Sequence, residues 1–376
     1  MTNKKLNVVN VPNLRFPGFK GEWETRKLGE IGDVKMCKRI FSNETSITGE
    51  IPFFKIGSFG KEADAFISKE LYLDYKKRFS FPKKGDILIS ASGTVGRTVV
   101  YNGEDAYFQD SNIVWIDNDN TNITNEFLYY ILQIVKYNTE GGTIQRLYNN
   151  ILKSTKFNSP SISEQQKIAS FLSLLDERIS TQNKIIEELK SLKNTLRYQL
   201  FEQITNEITE FIEIRDILNY EQPNKYLVTD IDYSSDDSLI PVLTANKAFI
   251  LGYTNENFGI YDKGGCIIFD DFTMDIKFVD FPFKVKSSAI KILTAKTDVN
   301  LKFIFEYLSF LVLSSNEHKR HYISEIEPMQ ISLPEYHKQS QVSNILSGID
   351  EKIKNEFKIN KLLIKQKQYF LANLFI

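Results

Sequence analysis

PSISEQQKIASFLSLLDERI (residues 160–179) is followed, 174 residues further on, by PEYHKQSQVSNILSGIDEKI (residues 334–353). Aligning Pro160 with Pro334 needs no gap for about forty residues. The identities include Gln165/Gln339, Leu172/Leu346, Ser173/Ser347, Asp176/Asp350, Glu177/Glu351, Lys193/Lys367 and Leu200-Phe201/Leu374-Phe375. Two amphipathic helices share a period by necessity, but seldom share identical polar residues at fixed offsets. The chain is therefore read as an internal duplication.

Both copies are predicted helical. In the first, Ile168, Leu172, Leu175, Ile179, Ile186, Leu189, Leu196 and Leu200 follow a 4,3 spacing, interrupted at Gln182 and Lys193. In the second, Val342, Leu346, Ile349, Ile353, Leu363, Phe370 and Leu374 do the same, interrupted at Glu356, Asn360 and Lys367. This is a coiled-coil seam with polar breaks of the kind that fix register. Pro160 and Pro334 stand just before the helices, where proline starts rather than breaks them. At 1.5 Å per residue each helix would run roughly 60 Å. Gln165, Asp176, Glu177, Gln182, Lys193, Gln339, Asp350, Glu351, Asn360 and Lys367 are candidates for helix pairing or subunit docking.

The segments before each helix correspond more faintly. LGEI (28–31) resembles IRDI (214–217), Ile51-Pro52 resembles Ile240-Pro241, and PKKGDILIS (82–90) resembles YDKGGCIIF (261–269). Short β-like runs at 87–90, 98–101, 113–116, 266–269, 278–279 and 289–293 lie between clusters of Gly, Asn and Asp. The expected plan is residues 1–159 as an N-terminal segment with a first mixed α/β domain and 160–209 as a central long helix. Residues 210–333 then form a second such domain and 334–376 a C-terminal long helix.

Composition narrows the function. With 376 residues, 42% hydrophobic and 25% charged, the chain has the makeup of a soluble, cytoplasmic globular protein. No apolar run approaches a membrane span, and the N-terminus lacks the apolar core of a signal peptide. Two cysteines (Cys37, Cys266) and three histidines (His318, His321, His337) fit no metal spacing. Net charge is -1, but residues 210–333 carry about -7 and residues 1–159 about +4, so nucleic-acid contact would rest on local patches.

Catalytic motifs are mostly missing. GTVGR (93–97) lacks both the Walker lysine spacing and the dinucleotide glycine pattern, and there is no nucleophile elbow. FDDFTMDIKF (269–278) offers Asp270, Asp271, Asp275 and Lys277 as a possible magnesium nuclease centre, although the matching SASGTVGRTV (90–99) has no acids. A stand-alone nuclease and a coiled-coil scaffold without a DNA role stay open as alternatives. No cofactor is expected.

Loops after corresponding strands are rich in side chains that contact phosphates and read base edges. In the first domain these are Lys38, Arg39, Ser92, Thr94, Arg97, Gln109, Ser111, Asn112 and Arg146. In the second they are Asn246, Lys247, Thr273, Lys277, Lys286, Ser287, Ser288, Lys319 and Arg320.

The opening VPNLRFPGFKGEWETRKLGEI, then KKGDILISASGTVGR, then the two helix starts resemble the specificity subunit of type I restriction–modification systems. The resemblance covers essentially the whole chain. Pro160, Glu164, Gln165 and Ile168 fit the family's Pro-x-x-x-Glu-Gln-x-x-Ile helix start, whereas the second copy has Lys338 and Val342 in place of Glu and Ile. It implies an α+β fold in which two target-recognition domains are separated and joined by two long antiparallel coiled-coil-like helices, with a pseudo-twofold internal repeat. It also implies double-stranded DNA as ligand, each domain reading one half of a split, asymmetric site. Two methyltransferase (modification) subunits and motor-nuclease (restriction) subunits would be the partners, and catalysis would belong to them.

Overall fold

A computed structural model of the chain describes residues 10–137, 146–245, 248–314 and 319–376. Two units are distinguished: Met1–Thr181 with Asn360–Ile376, and Gln182–Ile359.

In the first unit the order is β1 (Glu24–Lys27), β2 (Gly32–Lys35), β3 (Ile51–Phe54), β4 (Phe66–Ile67), α1 (Lys69–Arg78), β5 (Ile87–Ser90), β6 (Thr98–Val100), β7 (Tyr107–Phe108), β8 (Ile113–Asn118), α2 (Asn125–Ile134), α3 (Asn149–Ser154) and β9 (Lys156–Ser159). The long helix α4 (Ile162–Glu207) starts in this unit. The second unit holds the rest of α4, then β10 (Phe211–Glu213), α5 (Ile214–Ile217), β11 (Leu218–Glu221), β12 (Ile240–Leu243), β13 (Ile250–Thr254), β14 (Cys266–Asp270), β15 (Ile276–Val279), β16 (Lys284–Val285), β17 (Ile290–Ala295), α6 (Leu301–Phe310) and β18 (Gln330–Ser332). Helix α7 (Tyr336–Asn373) begins there and ends in the first unit.

The duplication extends well beyond the helices. The first unit has sheets ordered β2-β8-β5-β6 and β4-β3-β7 and a β1-β9 ribbon; the second has β11-β17-β14-β15, β13-β12-β16 and β10-β18. A parallel strand pairing also recurs, β3 with β7 and β12 with β16. The ladders also refine the alignment. Leu88 faces Trp115 and Ile268 faces Ile292, so GDILI (85–89) matches GCIIF (265–269), one residue later than the sequence match proposed. The Gly264-Gly265 doublet hides that slip, which would turn every side chain of the strand to the wrong face. Helix α1 has no counterpart among the described residues of the second unit.

ILIS and IVWI read as unbroken apolar runs because both faces of these strands are covered. Ile87, Ile89, Val114 and Ile116 pack toward α2, α3 and the long helices, while Leu88, Ile113 and Trp115 pack against the smaller sheet. In the second unit Ile267, Phe269 and Leu293 take the helical side, and Cys266, Ile268, Ile290 and Ile292 the other. Thr124 and Asn300 cap α2 and α6 by accepting the N–H of Phe127 and Phe303.

A buried pair in the second unit carries a pH signature. Lys284, fully buried, pairs with Glu256, donates to the Phe258 carbonyl at 2.9 Å and lies 4.3 Å from that ring's centre. Burial opposes ionisation of Glu256, yet Lys284, the Thr229 hydroxyl and the N–H groups of Asp230 and Thr229 hold it down to about 2. The native state therefore favours the carboxylate. This stabilisation is present above the ordinary glutamate value of 4.5 and is lost as pH falls toward 2. We expect the denaturation midpoint to drop between pH 5 and pH 3, and Glu256→Gln to flatten part of that slope; an unchanged slope would refute the assignment.

Candidate nucleic-acid interface

Strand direction gathers the candidate side chains. In the first unit β2 and β5 both run antiparallel to β8, so their C-terminal ends meet its beginning: Lys35 faces Trp115 and Ser90 faces Ile113. The loops after β2, after β5 and between β7 and β8 therefore converge. Leu147 joins them by donating its N–H to the Ala91 carbonyl at 2.8 Å, and Ser92 bridges Arg146. The second unit repeats the device, with Glu221 facing Ile292 and Asp270 facing Ile290. There the N–H of His321 meets the Asp271 carbonyl at 3.0 Å.

Within the first cluster the candidates separate by what they already hold. The buried Ser92 hydroxyl donates to Asn112 Oδ1 at 2.8 Å. Gln109 Oε1 accepts the Ile56 N–H at 3.0 Å, and Arg97 Nη1 donates to the Phe59 carbonyl at 2.9 Å. These groups fix the loops. Thr94, Ser111, Arg146, Lys38 and Arg39 are exposed. Lys38 Nζ stands 5.2 Å from the centre of the Phe79 ring, and Arg39 pairs with Asp110 at 2.8 Å. Burial pushes the adjacent Cys37 thiol up to about 12, so it is protonated and inert at neutral pH.

In the second cluster Lys286, Ser287, Ser288, Thr273, Lys319 and Arg320 are exposed, and Lys277 is half-buried within β15 rather than in a loop. Ser287 Oγ accepts the Ala289 N–H at 3.1 Å, the Thr273 hydroxyl donates to Asp275 at 3.0 Å, and Lys319 pairs with Glu325 at 3.0 Å. Asn246 and Lys247 lie outside the described residues. The carboxylates once open to a metal reading have protein partners. Asp270 accepts the N–H groups of Phe272 and Thr273, each at 3.0 Å. Asp271, buried, pairs with buried Lys291 at 3.1 Å and accepts the Tyr322 N–H at 2.8 Å. Among the described residues no group of three or more His, Cys, Asp or Glu could hold a metal ion, and no helix is long and apolar enough to cross a membrane.

The long helices pair antiparallel within each unit. In the first, Phe171 meets Phe370 with ring centres 4.8 Å apart, and Asp176 pairs with Lys367. In the second, Lys193 pairs with Asp350 at 2.6 Å and Gln182 donates to Glu356. Asp176/Asp350 and Lys193/Lys367 are repeat equivalents, so each copy's aspartate meets the other copy's lysine, and Gln182 meets its own equivalent. That reciprocity is what a self-complementary contact requires. Of the polar breaks, Gln182 and Glu356 are thus partners of one another, and Lys193 and Lys367 meet the shared aspartates.

Each node recruits a domain side chain that sequence reading missed. Tyr130 of α2 donates to Asp176 at 2.9 Å, and at the matching position of α6 Glu306 accepts from Lys193 and Arg197, both at 2.7 Å. Gln165 and Gln339 act elsewhere than across the helix pair. Gln165 Oε1 accepts the Thr124 N–H at 3.0 Å and Gln339 Oε1 the Asn300 N–H at 2.8 Å, tying each long helix to the cap of α2 or α6. Glu177 and Glu351 are exposed, and Asn360 is half-buried.

The Glu-to-Lys departure in the second helix start also has a physical reason. Buried Glu164 accepts Arg15 through Nε and Nη2, both at 2.7 Å, in the arm preceding β1. At the matching position Lys338 instead pairs with Glu207.

Residues 20–191 match the family described as "Type I restriction modification DNA specificity domain". A putative type I restriction enzyme specificity subunit from Haemophilus influenzae is 52% identical over 181 residues, 47% of this chain and 46% of that one. The EcoR124I/EcoR124II specificity subunit from Escherichia coli is 48% identical over 131 residues, 33% of this chain and 32% of its own. The matched stretch thus spans about half or less of these two relatives. The fold is like that of the type I restriction–modification S subunit from M. genitalium, with TM-score 0.65 at 16% identity over 97% of this chain and 99% of the other.

Proposed function

We propose that this chain, which carries a type I restriction modification DNA specificity domain over residues 20–191, is the DNA-recognition and assembly subunit of a type I restriction–modification complex. The observation that carries the reading is the repeated convergence of loops at the same ends of two topologically equivalent sheets, furnished with different side chains in each unit. Equivalent scaffolds with unlike loops suit two unlike half-sites, so the full site is asymmetric. Phosphate contacts would come from the exposed lysines and arginines, and base contacts from the loop tips.

The long helices set the gap between half-sites and dock two methyltransferase subunits, with restriction subunits joining for cleavage. Exposed Glu177 and Glu351, repeat equivalents, are the first docking candidates. Inserting seven residues into both α4 and α7 adds about 10 Å of helix, the length of about three base pairs. The preferred gap should widen accordingly; an unchanged gap would refute the ruler.

A mobility shift on duplex DNA, with the chain alone and with a methyltransferase partner, tests the function itself. Sequence-selective retardation in either condition is expected. Its absence in both would leave the helices as a scaffold without a DNA role, and magnesium-dependent plasmid cleavage by the chain alone would favour a nuclease.

A further inference from the structure

We infer that Arg39 is the guanine-reading side chain of the first unit, with Asp110 as its positioning residue. The inference rests on the DNA-recognition reading above and names one of the groups that performs it. The Arg39 side chain is 60% exposed, whereas that of Asp110, on which it rests, is 15% exposed. The bond is made by Nε, at 2.8 Å to Asp110 Oδ2. The Ser111 hydroxyl donates to the same oxygen at 3.2 Å from a left-handed backbone (φ 60°), and the Asn112 N–H reaches the Asp110 carbonyl at 2.6 Å. The carboxylate is thus held in a tight turn at the start of β8, beside the end of β2 that supplies Arg39.

A guanidinium is planar, with five donors in a fixed fork. Asp110 takes the Nε side, and among the described residues neither Nη group has a protein partner. Two parallel N–H donors match the O6 and N7 acceptors that guanine presents in the major groove, whereas adenine replaces O6 with a donor. A held guanidinium loses less freedom on making that contact than a free one.

The other cations of the cluster lack this arrangement. Arg97 spends an Nη on the Phe59 carbonyl, Lys38 is a point charge, and Arg146 has no carboxylate partner among the described residues. In the second unit Arg320 Nε lies 4.0 Å from Asp271, whose oxygens already serve Lys291 and the N–H groups of His321 and Tyr322. The held arginine therefore belongs to one half-site, which adds a specific reason for asymmetry.

The test is selection from a random-sequence duplex library by the full chain, with wild type, Arg39→Lys, Arg39→Ala and Asp110→Asn compared at two salt concentrations. A pair whose arginine is mostly in solvent adds little to stability, so these variants should fold like wild type, which thermal melting checks. Wild type should require guanine at one position of one half-site. Arg39→Lys should lower that preference about tenfold to a hundredfold and leave the other positions intact. Asp110→Asn should weaken the same preference without changing the salt slope. Preference retained in Arg39→Lys would overturn the inference. Uniform weakening in Arg39→Ala, with the salt slope reduced by about one contact, would overturn it in favour of a phosphate contact. If wild type selects no sequence either alone or with a methyltransferase partner, the DNA-recognition reading fails and this one with it.

Discussion

Lys193→Met should lower the stability of the second unit by about 3 kcal/mol, near the lower end of the range for breaking a buried ion pair. The lysine side chain is 9% exposed and that of its partner Glu306 is 4% exposed. Removing the ammonium leaves Glu306 with Arg197 alone, and Asp350 with nothing from α4. Methionine keeps the apolar stem, so the loss reports charge rather than a cavity. The equivalent change at Lys367 should cost about 1 kcal/mol, because Asp176 is partly solvated and keeps its bond from Tyr130. Replacing Glu306 by leucine and Arg197 by methionine in the Lys193→Met background should restore much of the stability, since the apolar groups need no counter-charge. Chemical denaturation followed by far-UV circular dichroism compares the variants. A loss at Lys193 no larger than at Lys367 would contradict the ion-pair account.

Exchanging residues 210–333 for the same segment of a relative should change one half of the recognised sequence and leave the other alone. The physical ground is how the segment is closed. Phe211 pairs with Ser332 in the β10-β18 ribbon, so the two ends of the segment lie side by side, as insertion of a foldable module requires. The first unit is closed in the same way, Glu24 pairing with Ser159. Specific binding commonly exceeds non-specific binding by 10³ or more. The old second half-site should therefore lose roughly that factor of preference, while the first half-site, Arg39's guanine included, is retained. A change in both halves would show that the units do not read independently.

The duplication was legible from the helices because a seam imposes periodicity and its polar breaks must match. Gln182, Lys193, Glu356 and Lys367 interrupt the apolar pattern, and their partners are one another or the shared aspartates. Pairings across long sequence separations were not legible. Arg39 and Asp110 are 71 positions apart, and no local pattern connects them; only the antiparallel alignment of β2 with β8 brings them together. Tyr130 and Glu306 escaped for a related reason, because equivalent positions satisfy the node with different chemistry, a phenol in one unit and a carboxylate in the other. The acidic stretch at 269–278 was open to a metal reading, which its repeat equivalent without acids already spoke against. Its composition suggested metal chemistry, but its carboxylates cap a turn and balance Lys291.

Mapping modified bases across genomic DNA, in otherwise identical cells with and without this chain, tests the central claim most directly. The account predicts adenine methylation at one split, non-palindromic sequence that is present only with the chain and moves in one half when residues 210–333 are exchanged. The same modification pattern in both cells would contradict it.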